Sequence, residues 1–456
     1  MAKKASTRTR SPSRRASARA LHDPPRRRPC PVCVHVQAPS SWVWGAKRAR
    51  TQRPDPAVSW RDWAGLASGP AGLIAERALA GDVADYVRFR ATCRGWRACA
   101  ADPRAHGVLD HRFHPRQWIM LRETVAAPHR RRLLNVSTGE CMTMDLPELA
   151  GHDVFGPTTE GLLVLLDRAT YAVRLLNPIT HQVADLPPAT MLLSSKVRHD
   201  PRLLLQVSGA GLADESTFAL HFFIIKTLVV VKPGQDHWTV VHRGNLVVMP
   251  SISFAGRFYG VTEKKVMVVE TSTDRPPRLA LAAKLARTFS TMMMESVHLV
   301  DNDGELMLVD REQGGRICKV YRVDLDARKM VPVCGLGGRA AFIGCEQALS
   351  VSPSVFPSIS ADAVYSGFNS LLVQGNVVKS PYHLKDGTAE TRGKYFGSDL
   401  FTDEVRKYSY YQLIDRTAWP NVMSQYGPWG VDDYLSSCIT GFRDGSEDTI
   451  ASSPTW

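Results

Sequence analysis

The sequence predicts an α+β multidomain protein: a short N-terminal helical hairpin followed by an all-β, propeller-like domain. Three observations carry that prediction. Between Trp63 and Ala98 the apolar residues fall at helical spacing, with cap signals between two helices. From Trp118 onward, more than a dozen strand-sized apolar runs alternate with turn residues and no helical pattern intervenes. One unit also repeats: LLNVSTGECMTMDLP (133–147) aligns with LLNPITHQVADLP (175–187), offset by 42 residues at the asparagine and 40 at the Leu-Pro. Strand, tight turn, strand, then Leu-Pro, at a period near ~40–50 residues, is the pattern of a propeller blade.

Charge separates the N-terminal segment from the rest. Residues 1–58 hold fourteen of the 57 Lys and Arg but only two acids, Asp23 and Asp55, so nearly all of the +13 net charge lies there. The remaining chain is close to neutral, which argues against a basic groove for nucleic acid. The segment is rich in Arg, Ser, Ala and Pro with little apolar periodicity, and is expected to be a disordered basic tail. Its clusters, Lys3-Lys4, Arg26-Arg27-Arg28 and Lys47-Arg48 with Arg50, fit a nuclear import signal, an organelle transit peptide or a merely solvated tail. Cys30-Pro-Val-Cys33 is a CxxC with no second pair to complete a zinc site.

Nine scattered cysteines suit a reducing compartment. No apolar run reaches the ~18 residues of a membrane span. An intracellular location, in nucleus and/or cytoplasm, is expected, with no membrane and no nucleic acid as partner.

Residues 59–114 form the helical domain and its linker. Pro70 suits a first helical turn, and Leu73, Ile74, Arg77 and Ala78 make a narrow face of that helix. Gly81 closes it and Asp82 is the expected N-cap of the next. Val83, Tyr86, Val87, Arg90 and Ala91 carry the second helix, whose last turn is expected to hold Arg94 and Arg97. Two such helices bury little surface alone, so they need a partner surface. His106, His111 and His114 read as linker residues, because their spacing does not gather them on one face.

Residues 115–395 form the β domain, with room for roughly six blades at the repeat period. Its runs include WIML, LLNV, LLVLL, AVRLL, LLLQV, FFIIK, LVVV, WTVV and KVYRV, punctuated by Ser137-Thr138-Gly139, Asn177-Pro178, Lys232-Pro233-Gly234 and Asn302-Asp303-Gly304. The Phe218–Val231 stretch is broken by His221 and Lys226 and reads as one or two buried strands. A β-sandwich, which needs fewer strands, is the runner-up. Residues 396–456 are taken as a closing segment or tail.

The helical stretch resembles an F-box, the module that docks a substrate receptor onto the Skp-type adaptor of a cullin-RING ubiquitin ligase. Leu66, Ile74, Asp82, Arg88, Phe89, Cys93-Arg94 and Trp96-Arg97 carry the resemblance. Ala67 stands where that family has proline, and Pro70-Ala71 replace its leucine pair. The resemblance implies that Leu66, Leu73, Ile74, Leu79, Val87, Phe89, Cys93 and Trp96 bind the adaptor. The β domain in turn resembles the F-box-associated domain of unknown function expanded in grasses. The matching pieces are VKPGQDHWTVV (231–241), FAGRFYGVT (254–262), LVDNDGELMLVDR (299–311) and the long stretch 320–365. Members of that family are thought of as propeller substrate receptors.

Catalytic motifs are wanting. Leu336-Gly337-Gly338-Arg339 lacks the spacing of a phosphate loop, Asp301-Asn302-Asp303-Gly304 reads as a hairpin turn rather than a calcium loop, and no nucleophile elbow or zincin motif is present. The expectation is a non-enzymatic protein with no cofactor and no metal. It would be the substrate-recognition subunit of a cullin-RING ligase, partnered by a Skp-type adaptor, a cullin and a target protein. The alternative is a propeller scaffold whose F-box no longer binds the adaptor.

Overall fold

The computed structural model describes residues 63–389, apart from residue 64 and the segments 122–128, 195–199, 245–250, 273, 289–296, 313–316, 345–347, 358 and 369–380. The basic tail, the CxxC and the expected closing segment lie outside the described residues. The described residues begin with three helices, α1 (Ser68–Gly81), α2 (Val83–Thr92) and α3 (Arg94–Ala98), and two 3-10 turns lead on to the strands.

Four antiparallel four-stranded meanders follow one another in sequence. They are β4 (His152–Phe155) to β7 (Gln182–Leu186), and β8 (Val207–Leu212) to β11 (Thr239–Arg243). Next come β12 (Ser251–Phe254) to β15 (Arg278–Lys284), and β16 (Val297–Asp301) to β19 (Lys329–Val333). The last two touch edge to edge through one parallel pairing, Lys284 with Lys329, and so form a single eight-stranded sheet. Before them lies a three-stranded sheet, β1 (Trp118–Met120), β2 (Arg130–Asn135) and β3 (Cys141–Asp145). After them comes a five-stranded mixed sheet built on β20 (Ala340–Gly344), β21 (Ala348–Val351) and β22 (Ala363–Phe368), in which β20 and β22 run parallel.

Each unit packs face to face on the next, which is why its middle strands are apolar on both faces, while outer strands such as β7 and β11 leave residues exposed. Leu163 and Leu165 meet Met144 at the first seam; Val164 and Leu175 meet Leu220 and Val229 at the second. Leu228 and Phe258 fill the third seam, Val268 and Leu308 the fourth, Val320 and Val364 the fifth. The last sheet then returns to the first: Phe342 and Tyr365, stacked at 4.6 Å, pack with Leu121 and Leu134. The units thus close into a propeller-like ring. Each fully buried Leu, Val or Phe contributes about 1.5–3 kcal/mol, so the seams hold the ring together.

One loop reaches from its own meander to the next two. Between β4 and β5 (Leu163–Asp167), Thr159 Oγ1 donates to Ser253 O at 2.8 Å on β12, and Glu160 Oε1 accepts from Leu212 N at 3.4 Å on β8. Gly161 at its tip has φ +81°, and a Cβ there would lie 2.2 Å from Pro115 O, so only glycine fits.

Several strand expectations shift. LLLQV is split: Pro201–Leu204 is a helical turn and β8 begins only at Val207. Pro201 at the first position, with Asp200 capping Arg202 N at 2.9 Å, decides for helix. FFIIK is mostly turn: β9 (Phe218–Phe222) ends at its first residue, and Lys226, at φ 46°, completes the reversal into β10 (Thr227–Val231). On β18 (Ile317–Asp324), the KVYRV strand, the burial is two-sided. Val323 faces the preceding meander, whereas Val320 faces the following sheet.

Candidate functional site

The helical unit is the candidate site. α1 runs from Ser68, two residues before Pro70, and ends at Gly81. Its fully buried contacts are made by the small residues Ala71 and Ala75, with Leu79 half-buried against the same core, while Leu73 and Ile74 are 68% and 41% exposed. Asp82 caps α2 as the sequence predicts, accepting from Ala84 N at 2.7 Å. α2 does not extend to Arg97. Cys93 takes an extended backbone, ends α2, and its Sγ accepts from Trp96 N to start α3. That break lets Trp96 fold back and stack on Phe89, with ring centroids 4.6 Å apart, while its Nε1 donates to Trp63 O at 2.9 Å.

The eight residues expected to bind the adaptor therefore divide. Leu73 and Ile74 meet solvent. Phe89 is buried under Trp96, and Leu66, Leu79, Val87 and Trp96 pack half-buried against the helical core. Cys93 is half-buried and serves as a cap. Trp63, 53% exposed, is a further large apolar side chain at this unit's start.

The unit is seated on the ring by its own core and by polar contacts. Val83, Ala84, Tyr86 and Phe89 share one apolar cluster with Trp118 and Leu133 of the first sheet. Asp82 accepts from Trp118 Nε1 at 2.9 Å and from Asn135 Nδ2 at 2.6 Å, and Arg88 bridges Asp85 and Glu140. Tyr86 Oη donates to Ala101 O at 2.6 Å, and burial pushes its phenol pKa up. Asn177, at the end of β6 (Val173–Asn177), donates from Nδ2 to Phe113 O at 2.7 Å. Sequence reasoning missed the roles of Asn135 and Asn177, although their recurrence in the repeat was the available signal. Each Oδ1 also caps the turn that follows, accepting from Ser137 N and Thr138 N or from Ile179 N and Thr180 N.

The remaining sequence candidates have structural roles. The Leu336-Gly337-Gly338 loop cradles a carboxylate of the protein itself. Leu336 N and Gly338 N donate to Asp362 Oδ1 at 2.7 and 2.9 Å, and Lys385 Nζ lies 3.1 Å from its other oxygen. Burial pushes Asp362 up, but these N–H groups and Lys385 outweigh it and hold the carboxyl below its usual range. Asp303 and Gly304, both at positive φ between Asn302 and Glu305, make a two-residue hairpin turn. His114 is buried, with Nε2 3.2 Å from Val108 O, and burial followed by the charge of Arg116 holds its pKa at about 4. Among the described residues no cluster of three or more His, Cys, Asp or Glu is arranged to hold a metal ion, and no helix is long and apolar enough to cross a membrane.

No curated protein matches the chain. Among solved structures it is similar to YCF48 from Cyanidioschyzon merolae, at 10% identity and TM-score 0.30, covering 45% of this chain and 66% of that one. A streptogramin B lyase matches at 8% identity and TM-score 0.28, covering 45% and 62%, and Hsv2p of Kluyveromyces lactis at 14% and 0.28, covering 48% and 59%. The chain spans less than two thirds of each of these. The model of the KIB1-4 beta-propeller family matches residues 133–383, more than half of the sequence and the span from β2 to β23 (Tyr382–His383). The chain belongs to the KIB1-4 beta-propeller family.

Proposed function

We propose that this protein is the substrate-recognition, F-box subunit of a cullin-RING ubiquitin ligase. Its helical unit docks on a Skp-type adaptor, and its ring holds a target protein close to the ubiquitin-charged enzyme. One observation carries the reading: α1 seats itself with Ala71, Ala75 and the half-buried Leu79, and keeps the adjacent pair Leu73 and Ile74 in water. A helix folded only for its own domain buries its large apolar side chains, so the exposure of this pair supports a docking face. Membership of a propeller family supports a protein-binding role for the ring. No covalent chemistry is required, because tethering raises the effective concentration of target near the ligase.

Binding of the full chain to a purified Skp-type adaptor tests the reading. The parent should bind, and Leu73→Asp with Ile74→Asp should weaken binding at least tenfold while the ring melts unchanged. The alternative, a scaffold whose helical unit only packs on the ring, draws on Ala67 and Pro70-Ala71, which lack the residues usual at those places. Absence of binding by the parent would select it.

A further inference from the structure

We infer that the helical unit and the ring form one rigid body, and that Asn135 and Asn177 are the positioning residues that fix its angle. These asparagines occupy equivalent places in the internal repeat, at the ends of β2 and β6. Both are buried, and both divide their amide in the same way. Oδ1 holds the turn of its own sheet, while Nδ2 reaches out to the helical unit: to Asp82 at 2.6 Å from Asn135, and to Phe113 O at 2.7 Å from Asn177. Two adjacent sheets thus grip the unit at two points, one at the junction of α1 with α2 and one at the linker. Two separated anchors stop the rotation that a single anchor would permit. The apolar cluster containing Phe89, Trp118 and Leu133 has no separate helical half to detach. The fixed angle matters for ubiquitin transfer only under the proposed receptor function, whereas the coupling itself is measurable without adaptor or target.

Hydrogen exchange on the full chain is the experiment. In the parent, amides of α2 should exchange together with those of β2 and β6, as one cooperative unit. α2 exchanging a hundredfold faster than β2 would overturn the inference without any variant. Asn135→Asp with Asn177→Asp keeps both turn caps but removes both outward donors. α2 should then exchange at least tenfold faster while β16–β19 are unchanged; unaltered α2 protection would overturn the inference. Exchanging one pair, Asp82→Asn with Asn135→Asp, restores a donor and acceptor across the seam and should return α2 protection towards the parent. Failure to do so would overturn the role given to Asn135.

Discussion

Asp82 and Trp118 join the helical unit to the first strand of the ring: the indole Nε1 donates to both carboxylate oxygens, at 2.9 and 3.0 Å. The same carboxylate caps α2, so one side chain sets a helix start and a domain seam together. Asp82→Ala should lose a cap worth about 1 kcal/mol and strand two donors costing ~1–3 kcal/mol each. Asp82→Ser keeps the cap and should recover only about 1 kcal/mol of that loss. Urea denaturation of both variants measures the division.

Trp96 fixes the unit internally. Trp96→Ala removes the stack on Phe89 and the hydrogen bond to Trp63 O. It should loosen the helices, by about 2–4 kcal/mol, and reduce adaptor binding indirectly. Ile74→Ala should reduce adaptor binding, by about 1–3 kcal/mol, and leave the melting of the protein unchanged. Calorimetric binding paired with thermal melts separates the two; parallel effects in both variants would refute the division.

Val323 lies 5% exposed in the seam between two meanders. Val323→Asp places a carboxylate there without a partner and should destabilise the ring by several kcal/mol. A variant that melts like the parent would show that this seam is not a core.

Gly161 and Gly234 share a positive φ, +81° and +87°, but only Gly161 has backbone against it. Gly234→Ala should cost about 1 kcal/mol, for conformation alone. Gly161→Ala must also displace Pro115 and should cost more than ~3 kcal/mol. Equal midpoints in denaturant would contradict the close approach of Gly161 to Pro115.

Acid should weaken the fold before carboxylates titrate. His221, buried and hydrogen-bonded to Ser208 Oγ at 2.8 Å, has its pKa held at about 4 by burial and then by His242; His114 is held at about 4 as well. Both are depressed below the ordinary histidine value, so the unfolded chain takes up these protons first. The stability they allow is full above about pH 6.5, falls as pH drops towards about 4, and then levels, at a cost on the order of 3 kcal/mol per histidine. Melting temperatures from pH 8 to 4 should show this loss, and His221→Gln should remove part of it.

Local chemistry was enough to read several elements. Gly81 and Asp82 announced the helix junction, the Leu-Leu-Asn repeat announced the meanders, and Asn302-Asp303-Gly304 announced a two-residue turn, because caps and turns depend on neighbours in sequence. What the sequence determined by itself was therefore the order of helical hairpin and β meanders, and the places of their caps and turns. Tertiary structure decided which faces are used. Leu73 and Ile74 form an apolar stripe whether buried or exposed, and only the packing of Ala71 and Ala75 against the rest of the unit leaves that stripe in water. Likewise, the asparagines of the repeat could be read as turn residues, yet their outward amides find Asp82 and Phe113 only once ring and helices are assembled. Burial and long-range hydrogen bonds depend on residues distant in the chain, and the spacing of neighbours carries no record of them.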